Sequence, residues 1–320
     1  MRLTIARALL LVGGLSASLC AWGEHRLPCP TVAPDVFLFQ ADEAPNGVPS
    51  PATGMETDAD SLRVCGMLQR ASSLPADSTI ILAYARGFQG TPYLGGTLET
   101  FPFEHLVVRT DSVDCTTFVE YVLAMALTNA AQPKVDRTTY TRFKHHLQLI
   151  RYRGGNIAGY TSRLHYFTDW IYDNQKKGIV REVTQSSPHA IRTVDLNFMT
   201  THASLYPYLK ADTSLLHQMR RLEQPWTGYH MPYIPKERLN EGRETLQIQD
   251  GDILTLVTNT RGLDVVHVGF ACWINNQLHL LHASSAKEKV LLDPLTLYQY
   301  CKNKKSQLGI RVIRPLLYLR

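Results

Sequence analysis

The residues best suited to covalent chemistry are Cys115, His267 and His282. Cys115 falls in Asp114-Cys115-Thr116-Thr117-Phe118, in the first turn of a helix that the spacing of Phe118, Val119, Val122, Met125 and Ala126 predicts. A helix N-terminus carries about half a positive charge and unpaired N–H groups, which favour a thiolate and raise its nucleophilicity near neutral pH. Asp114 is a natural N-cap, but its charge opposes that effect, so the thiol still needs a base. Alone, a cysteine at a helix start is more often a packing residue. His267 interrupts the apolar run Val265-Val266-His267-Val268-Gly269-Phe270, where a histidine either bonds backbone or serves as the base. Gly269, on the same strand face, leaves room for a close neighbour. His282, in Leu280-Leu281-His282-Ala283-Ser284, follows a tight turn, so it can sit beside His267 and fix its tautomer through the far nitrogen. His279 lies an odd number of residues from His282 and is expected on the opposite face, one exposed and the other facing the helix.

Four further residues are candidates for touching a substrate: Tyr93, Asp114, His165 and Asp169. His165 and Asp169 are four apart on a predicted helix over Leu164–Ile171 and would share a face, lining a cleft or forming a surface pair. Arg109 reads as a solvated surface arginine, and the adjacent His145 and His146 as surface residues that point apart. No G-x-S-x-G elbow, H-E-x-x-H helix, Walker loop or G-x-G-x-x-G turn occurs, which removes the usual serine hydrolase, zincin and nucleotide readings. No cofactor and no metal are implied.

The elements that must hold these side chains are legible in part. Arg2 and Arg7, an apolar run from Ala8 to Leu19, and Ala21-Trp22-Gly23 read as an export signal over 1–23, too short for a spanning helix. Leu19 is a poor neighbour for lipid attachment at Cys20. Export implies an oxidising compartment, the periplasm. Of the six cysteines, Cys20 leaves with the signal and an odd number remains, so at least one thiol stays unpaired; Cys29 with Cys65 is the expected disulfide and Cys272 a buried, inert thiol. The net charge of +5 falls to about +3 without Arg2 and Arg7, too mild for a nucleic-acid groove. Residues 24–75 form a proline-rich N-terminal segment, in which 24 to about 60 is expected to be a tether and Asp60 to Gln69 shows a short helical pattern of Leu62, Cys65 and Leu68. The region 76–320 is expected to be the working domain, with a mostly helical insertion at about 135–245. Before it, a helix is expected from Asp77 to Phe88, with Ile80, Ile81, Tyr84 and Phe88 on one side. Strands are expected over Asp252–Val257, Asp264–Trp273, Gln277–Ala283 and Gly309–Ile313, with a helix opened by Pro294.

Gly90-Thr91-Pro92-Tyr93, Asp114-Cys115, Gly251-Asp252, His267-Val268-Gly269 and His282-Ala283-Ser284 resemble, in order and context, the NlpC family of papain-like cell-wall cysteine hydrolases. Three features depart from small members of that family: Thr-Thr-Phe after Cys115, a Tyr-Leu-Gly-Gly loop without tryptophan, and a long span from Cys115 to Gly251. These features, with the segment from Tyr160 to Ile171, resemble the N-acetylmuramoyl-L-alanine amidase-like branch over roughly residues 76–316. The resemblance implies an α+β fold, a cysteine-bearing helix on an antiparallel sheet with Cys115, His267 and His282 catalytic. It implies cleavage of the amide between N-acetylmuramic acid and L-alanine in small anhydro-muropeptides. A γ-D-glutamyl–diamino acid endopeptidase using the same three residues, a catalytically silent wall-binding protein and, more remotely, a zinc amidase are the alternatives. The expected partners are peptidoglycan fragments, with no nucleic acid and no membrane span after the signal.

Overall fold

The computed structural model describes residues 57–75, 77–99 and 103–317. The expected signal, most of the expected tether, and the Cys29 half of the expected disulfide lie outside the described residues.

The described chain opens with helix α1 (Asp58–Arg70), capped by reciprocal bonds between Thr57 and Asp60. Its buried face is Asp60, Val64, Met67 and Leu68, whereas Leu62 is 73% exposed. Asp60 also accepts from the Thr110 N–H at 2.7 Å and hydroxyl at 2.8 Å, and Arg63 donates to the Thr110 carbonyl and the Thr91 hydroxyl, each at 2.7 Å. The helix belongs to the same apolar core as the rest, so the boundary expected at 75/76 does not separate it.

Burial alone would raise the Asp60 carboxyl pKa, but the bonds from Thr57 and Thr110 outweigh it and hold the group below its ordinary value. A depressed carboxyl contributes stability that is complete above the unfolded value of about 3.9 and is lost as pH falls through the folded one. Asp60→Ala is therefore expected to cost about 1–3 kcal/mol at pH 7. In thermal melts the gap from the parent chain should close below about pH 4; a gap that persists unchanged there would contradict this role.

Helix α2 (Ser78–Gly87) follows, with Ile80, Ile81, Tyr84 and Phe88 buried as the spacing predicts. Helix α3 (Cys115–Ala131) is buried at every position from Cys115 to Asn129 except Thr116, the burial expected of a helix apolar on most sides. The long middle region contains α4 (Thr139–Arg151), α5 (Phe167–Lys176), β1 (Val180–Glu182), β2 (Ala190–Val194), the short helices α6 (Phe198–Thr201) and α7 (Pro207–Ala211), α8 (Thr213–Glu223) and β3 (Tyr229–Pro235). A short helix α9 (Arg243–Leu246) leads into β4 (Ile253–Thr258), β5 (Val265–Ile274), β6 (Gln277–Ser284), β7 (Lys289–Thr296), α10 (Leu297–Lys302) and β8 (Gln307–Pro315).

The strands form one antiparallel sheet of order β2-β3-β8-β4-β5-β6-β7, with β1 also paired to β8. The α+β expectation holds, and α3 packs against β5 and β6. Two expectations fail and a third is incomplete. Helical pieces outnumber strands in the insertion, but β1, β2 and β3 also join the main sheet; Pro232 and Pro235 hide β3 in the sequence. Pro294 lies within β7 rather than opening a helix: β7 ends the sheet order and carries two extra residues between the pairs Leu281↔Leu292 and His279↔Thr296, where a proline is tolerated. The helix expected over Leu164–Ile171 begins only at Phe167, because its first-turn Thr168 N–H is capped at 2.6 Å by the distant Asp264 carboxylate. The expected tight turn between β5 and β6 is present, with Asn275 and Asn276 both at positive φ, the geometry a two-residue hairpin needs.

Candidate active site

The cysteine is held by two devices. Asp114 caps α3: its carboxylate accepts from the Thr117 N–H at 2.7 Å, and its own N–H donates to the Thr117 hydroxyl at 2.9 Å. Cys115 is therefore the first helical residue, and it is 3% exposed. Burial pushes the Asp114 carboxyl above its ordinary value, against the Thr117 bonds and the charge of Arg151. The cap occupies one oxygen of Asp114, which was expected among the substrate contacts.

The second device is the Gly90–Tyr93 segment, which lies between β7 and the residue two before Cys115. Gly90 N–H donates to Val290 O at 2.8 Å, Val290 N–H to Thr91 O at 2.8 Å, and Tyr93 N–H to Glu288 O at 2.9 Å. On the other side Val113 N–H donates to Pro92 O and Leu94 N–H to Val113 O, each at 3.0 Å. Tyr93 is half-buried and bridged to Val113, so it stands beside the turn that delivers the thiol.

Beneath that turn lies a buried ion pair. Glu120 on α3 accepts from Arg151 Nε at 2.6 Å, with 3% of the Glu120 and 1% of the Arg151 side chain exposed. Arg151 also donates to Val107 O at 2.7 Å, and Trp170 Nε1 donates to Glu120 at 3.3 Å. Burial opposes the charge on Arg151, but Glu120, Tyr121 and Tyr152 around it outweigh that and keep it protonated.

His267 and His282 come together as expected. His267 Nε2 and His282 Nδ1 are hydrogen-bonded at 2.6 Å, with 3% and 0% of the residues exposed. The rings meet nearly perpendicular, at 85°. On the partner side, Phe118 of α3 meets Phe270 of β5 edge-on at 5.5 Å, fixing the cysteine-bearing helix across the histidine-bearing strand. The room left by Gly269 is filled by His282: a Cβ added there would lie 2.8 Å from the His282 Cβ and 2.9 Å from the Leu281 carbonyl. Gly269→Ala must displace His282, and a shift approaching 1 Å is expected to lower kcat about 10²-fold with KM nearly unchanged; unaltered steady-state kinetics would contradict that packing role.

The remaining candidates are placed less close to expectation. His165 precedes α5 rather than lying on it, and its Nε2 donates to Tyr160 O at 2.9 Å; burial, with Arg163 nearby, keeps it neutral. Asp169 is in the first turn of α5 and pairs with Arg153, at 2.9 Å through one nitrogen. The two are buried, do not pair with each other, and share no helix face. His146 is buried, not a surface residue: it meets the Thr128 hydroxyl at 2.9 Å, and burial pulls it down to about 4. His145 and Arg109 are exposed, as expected. Cys272 is buried, with Arg86 3.7 Å from its sulfur. His279 is also buried, its Nδ1 3.0 Å from Asp293 O, so the expected division between an exposed and a buried histidine does not occur.

Two residues escaped the sequence reading. Asp264 accepts from the Thr168 and Val265 N–H groups and so sets the start of α5 at the entry to β5, three residues before His267. Asp293 places a carboxylate oxygen 3.4 Å from His282 Nε2. Its signal was the one that marks His267, a polar residue inside an apolar run, here Val290-Leu291-Leu292-Asp293-Pro294-Leu295.

Residues 83–310 match the family described as AmiA-like, N-acetylmuramoyl-L-alanine amidase-like. A crystal structure of an N-acetylmuramoyl-L-alanine amidase from Bacteroides uniformis is 38% identical, covers 75% of this chain and 98% of its own, and superposes with a TM-score of 0.70. A Bacteroides fragilis protein provisionally named a xylanase is 44% identical over 72% of this chain and 99% of its own, with a TM-score of 0.68. A Legionella pneumophila protein of the DUF1460 family, 24% identical over 81% of this chain and 94% of its own, shares the fold with a TM-score of 0.61. A comparison with curated proteins returned no match. From the matched span and the extent of identity, the chain belongs to the N-acetylmuramoyl-L-alanine amidase-like family of peptidoglycan hydrolases.

Proposed function

We propose that this chain is an exported cysteine amidase, built on a papain-like NlpC-type core, that cleaves the bond between N-acetylmuramic acid and L-alanine in small anhydro-muropeptides. The observation that carries the reading is the 2.6 Å bond between His267 Nε2 and His282 Nδ1, on strands packed under the helix that begins at Cys115. Because His282 engages Nε2, proton exchange with the thiol runs through His267 Nδ1. The Cys115 thiolate attacks the lactyl carbonyl, and the thiol proton resides on His267. The Cys115 backbone N–H, which as the first of the helix has no intrahelical acceptor, is suited to stabilise the oxyanion. His267 then protonates the alanine nitrogen as the C–N bond breaks, and water hydrolyses the thioester to restore the thiol.

The test is to digest one defined muropeptide, in its anhydro and reducing forms, and weigh the products. Free muramic sugar plus an intact stem peptide, formed faster from the anhydro form, is the expected result. Scission inside the peptide would replace the amidase reading with an endopeptidase one.

A further inference from the structure

The chain of contacts behind His267 does not end at His282. His282 is wholly buried, and its Nε2 meets no hydrogen-bond partner of good geometry among the described residues. The carboxylate of Asp293 lies 3.4 Å away, long for a hydrogen bond but on the Nε2 side of the ring, opposite the nitrogen bonded to His267. Asp293 reaches this position through the irregularity of β7, where two extra residues break the register. The carboxylate is itself held: Asp293 Oδ1 accepts from Leu295 N–H at 2.9 Å. Burial alone would raise its pKa, yet the nearby His282 and the Leu295 N–H outweigh that and hold it below its ordinary value.

We propose that Asp293 is a positioning residue that sets the direction of the His282–His267 proton chain and, through it, the basicity of His267 toward Cys115. The inference rests on the cysteine reading above. To take the thiol proton, His267 needs a lone pair on Nδ1, so its own proton is on Nε2 and is donated to His282 Nδ1. His282 then carries its proton on Nε2, which requires an acceptor, and Asp293 is the acceptor in place. In the reverse arrangement His282 donates from Nδ1, His267 bears its proton on Nδ1, and the base is blocked. A carboxylate beside Nε2 selects the first arrangement and favours the imidazolium once formed. The contact is long in the resting state, and such bonds tighten in the reacting complex. The titratable groups that face His282 are His267 from β5, Asp293 from β7 and Tyr300 from α10, whose ring meets the His282 ring edge-on at 5.6 Å. Lys304 lies over the Tyr300 ring, and its charge also acts on Asp293.

The test compares the full chain with Asp293→Ala, Asp293→Asn and Asp293→Glu. Two profiles are read against pH: kcat/KM on an anhydro-muropeptide, and the rate of Cys115 alkylation by iodoacetamide. Asp293→Ala is expected to lower kcat about 10²-fold, within the range of positioning partners, with KM little changed. Without the negative charge the imidazolium that accompanies the thiolate loses its proton at lower pH, so in Asp293→Ala and Asp293→Asn the alkaline limb of kcat/KM moves to lower pH, and alkylation near neutral pH, which needs only the thiolate, slows. The asparagine carbonyl retains an acceptor, so its rate loss is smaller, and Asp293→Glu restores the limb toward its parent position. If the alanine variant does not fold, the near-isosteric asparagine variant supplies the limb shift. Alkaline limbs unchanged in a folded alanine or asparagine variant overturn the inference. Failure of the underlying reading has a separate signature, namely alkylation of Cys115 that leaves turnover intact in the parent chain.

Discussion

Cys115→Ala is expected to slow muropeptide cleavage by roughly 10⁴–10⁶-fold, the scale on which removing an enzyme's nucleophile acts. The fold should survive. Cys115 opens its helix from a cap made by Asp114 and Thr117, neither of which depends on the sulfur, and losing one small buried atom costs about 1 kcal/mol. The rate loss and the melting temperature therefore separate chemistry from structure. His267→Ala should fall nearly as far, and the double variant little further, because nucleophile and base act as one unit. A Cys115→Ala protein that cleaves at the parent rate would end the cysteine mechanism. Loss of parent activity with a chelator but not with a thiol alkylator would then point to a zinc amidase.

The largest effect on stability is expected from Arg151→Met. That change leaves the Glu120 carboxylate buried within the cysteine-bearing helix without its cation, a situation that costs about 3–5 kcal/mol. Most of the loss should return in Arg151→Met/Glu120→Gln, where the charge is gone and the glutamine oxygen can still accept from Trp170 Nε1. Chemical denaturation of the four chains completes the cycle. A double variant no more stable than Arg151→Met would mean that the arginine acts through Val107 or Tyr121 rather than through Glu120.

Local chemistry explains what could be read in advance. Helix α3, its Asp114 cap, strands β4, β5 and β6, and the Asn275-Asn276 turn follow from periodicity and turn residues within a few positions of one another. The meeting of His267 with His282 was accessible for the same reason, since one hairpin fixes both. What stayed hidden depends on distant partners. The start of α5 is set by Asp264, some 96 residues away, and β3 is a strand only because β2 and β8 supply its neighbours. Asp293 acquires its position from a register break that no pattern of side chains announces. The His165–Asp169 pairing failed because it assumed a helix that had not yet begun at His165.

The place of β8 has a consequence for how the molecule comes into being. This strand, Gln307–Pro315, lies inside the sheet, joined to β4 on one side and to β3 and β1 on the other. Gly309 admits the crossing of β3 so closely that a Cβ there would stand 1.9 Å from the Ile234 carbonyl oxygen. Until Gln307–Pro315 is in place, β4 lacks one of its two neighbours and the strands of the insertion have no sheet to join. Pairings between such remote parts of a chain form slowly. The sheet is therefore completed by pairings that span the whole insertion, and that step, rather than closure of the local β5–β6 hairpin, is expected to limit the rate of folding.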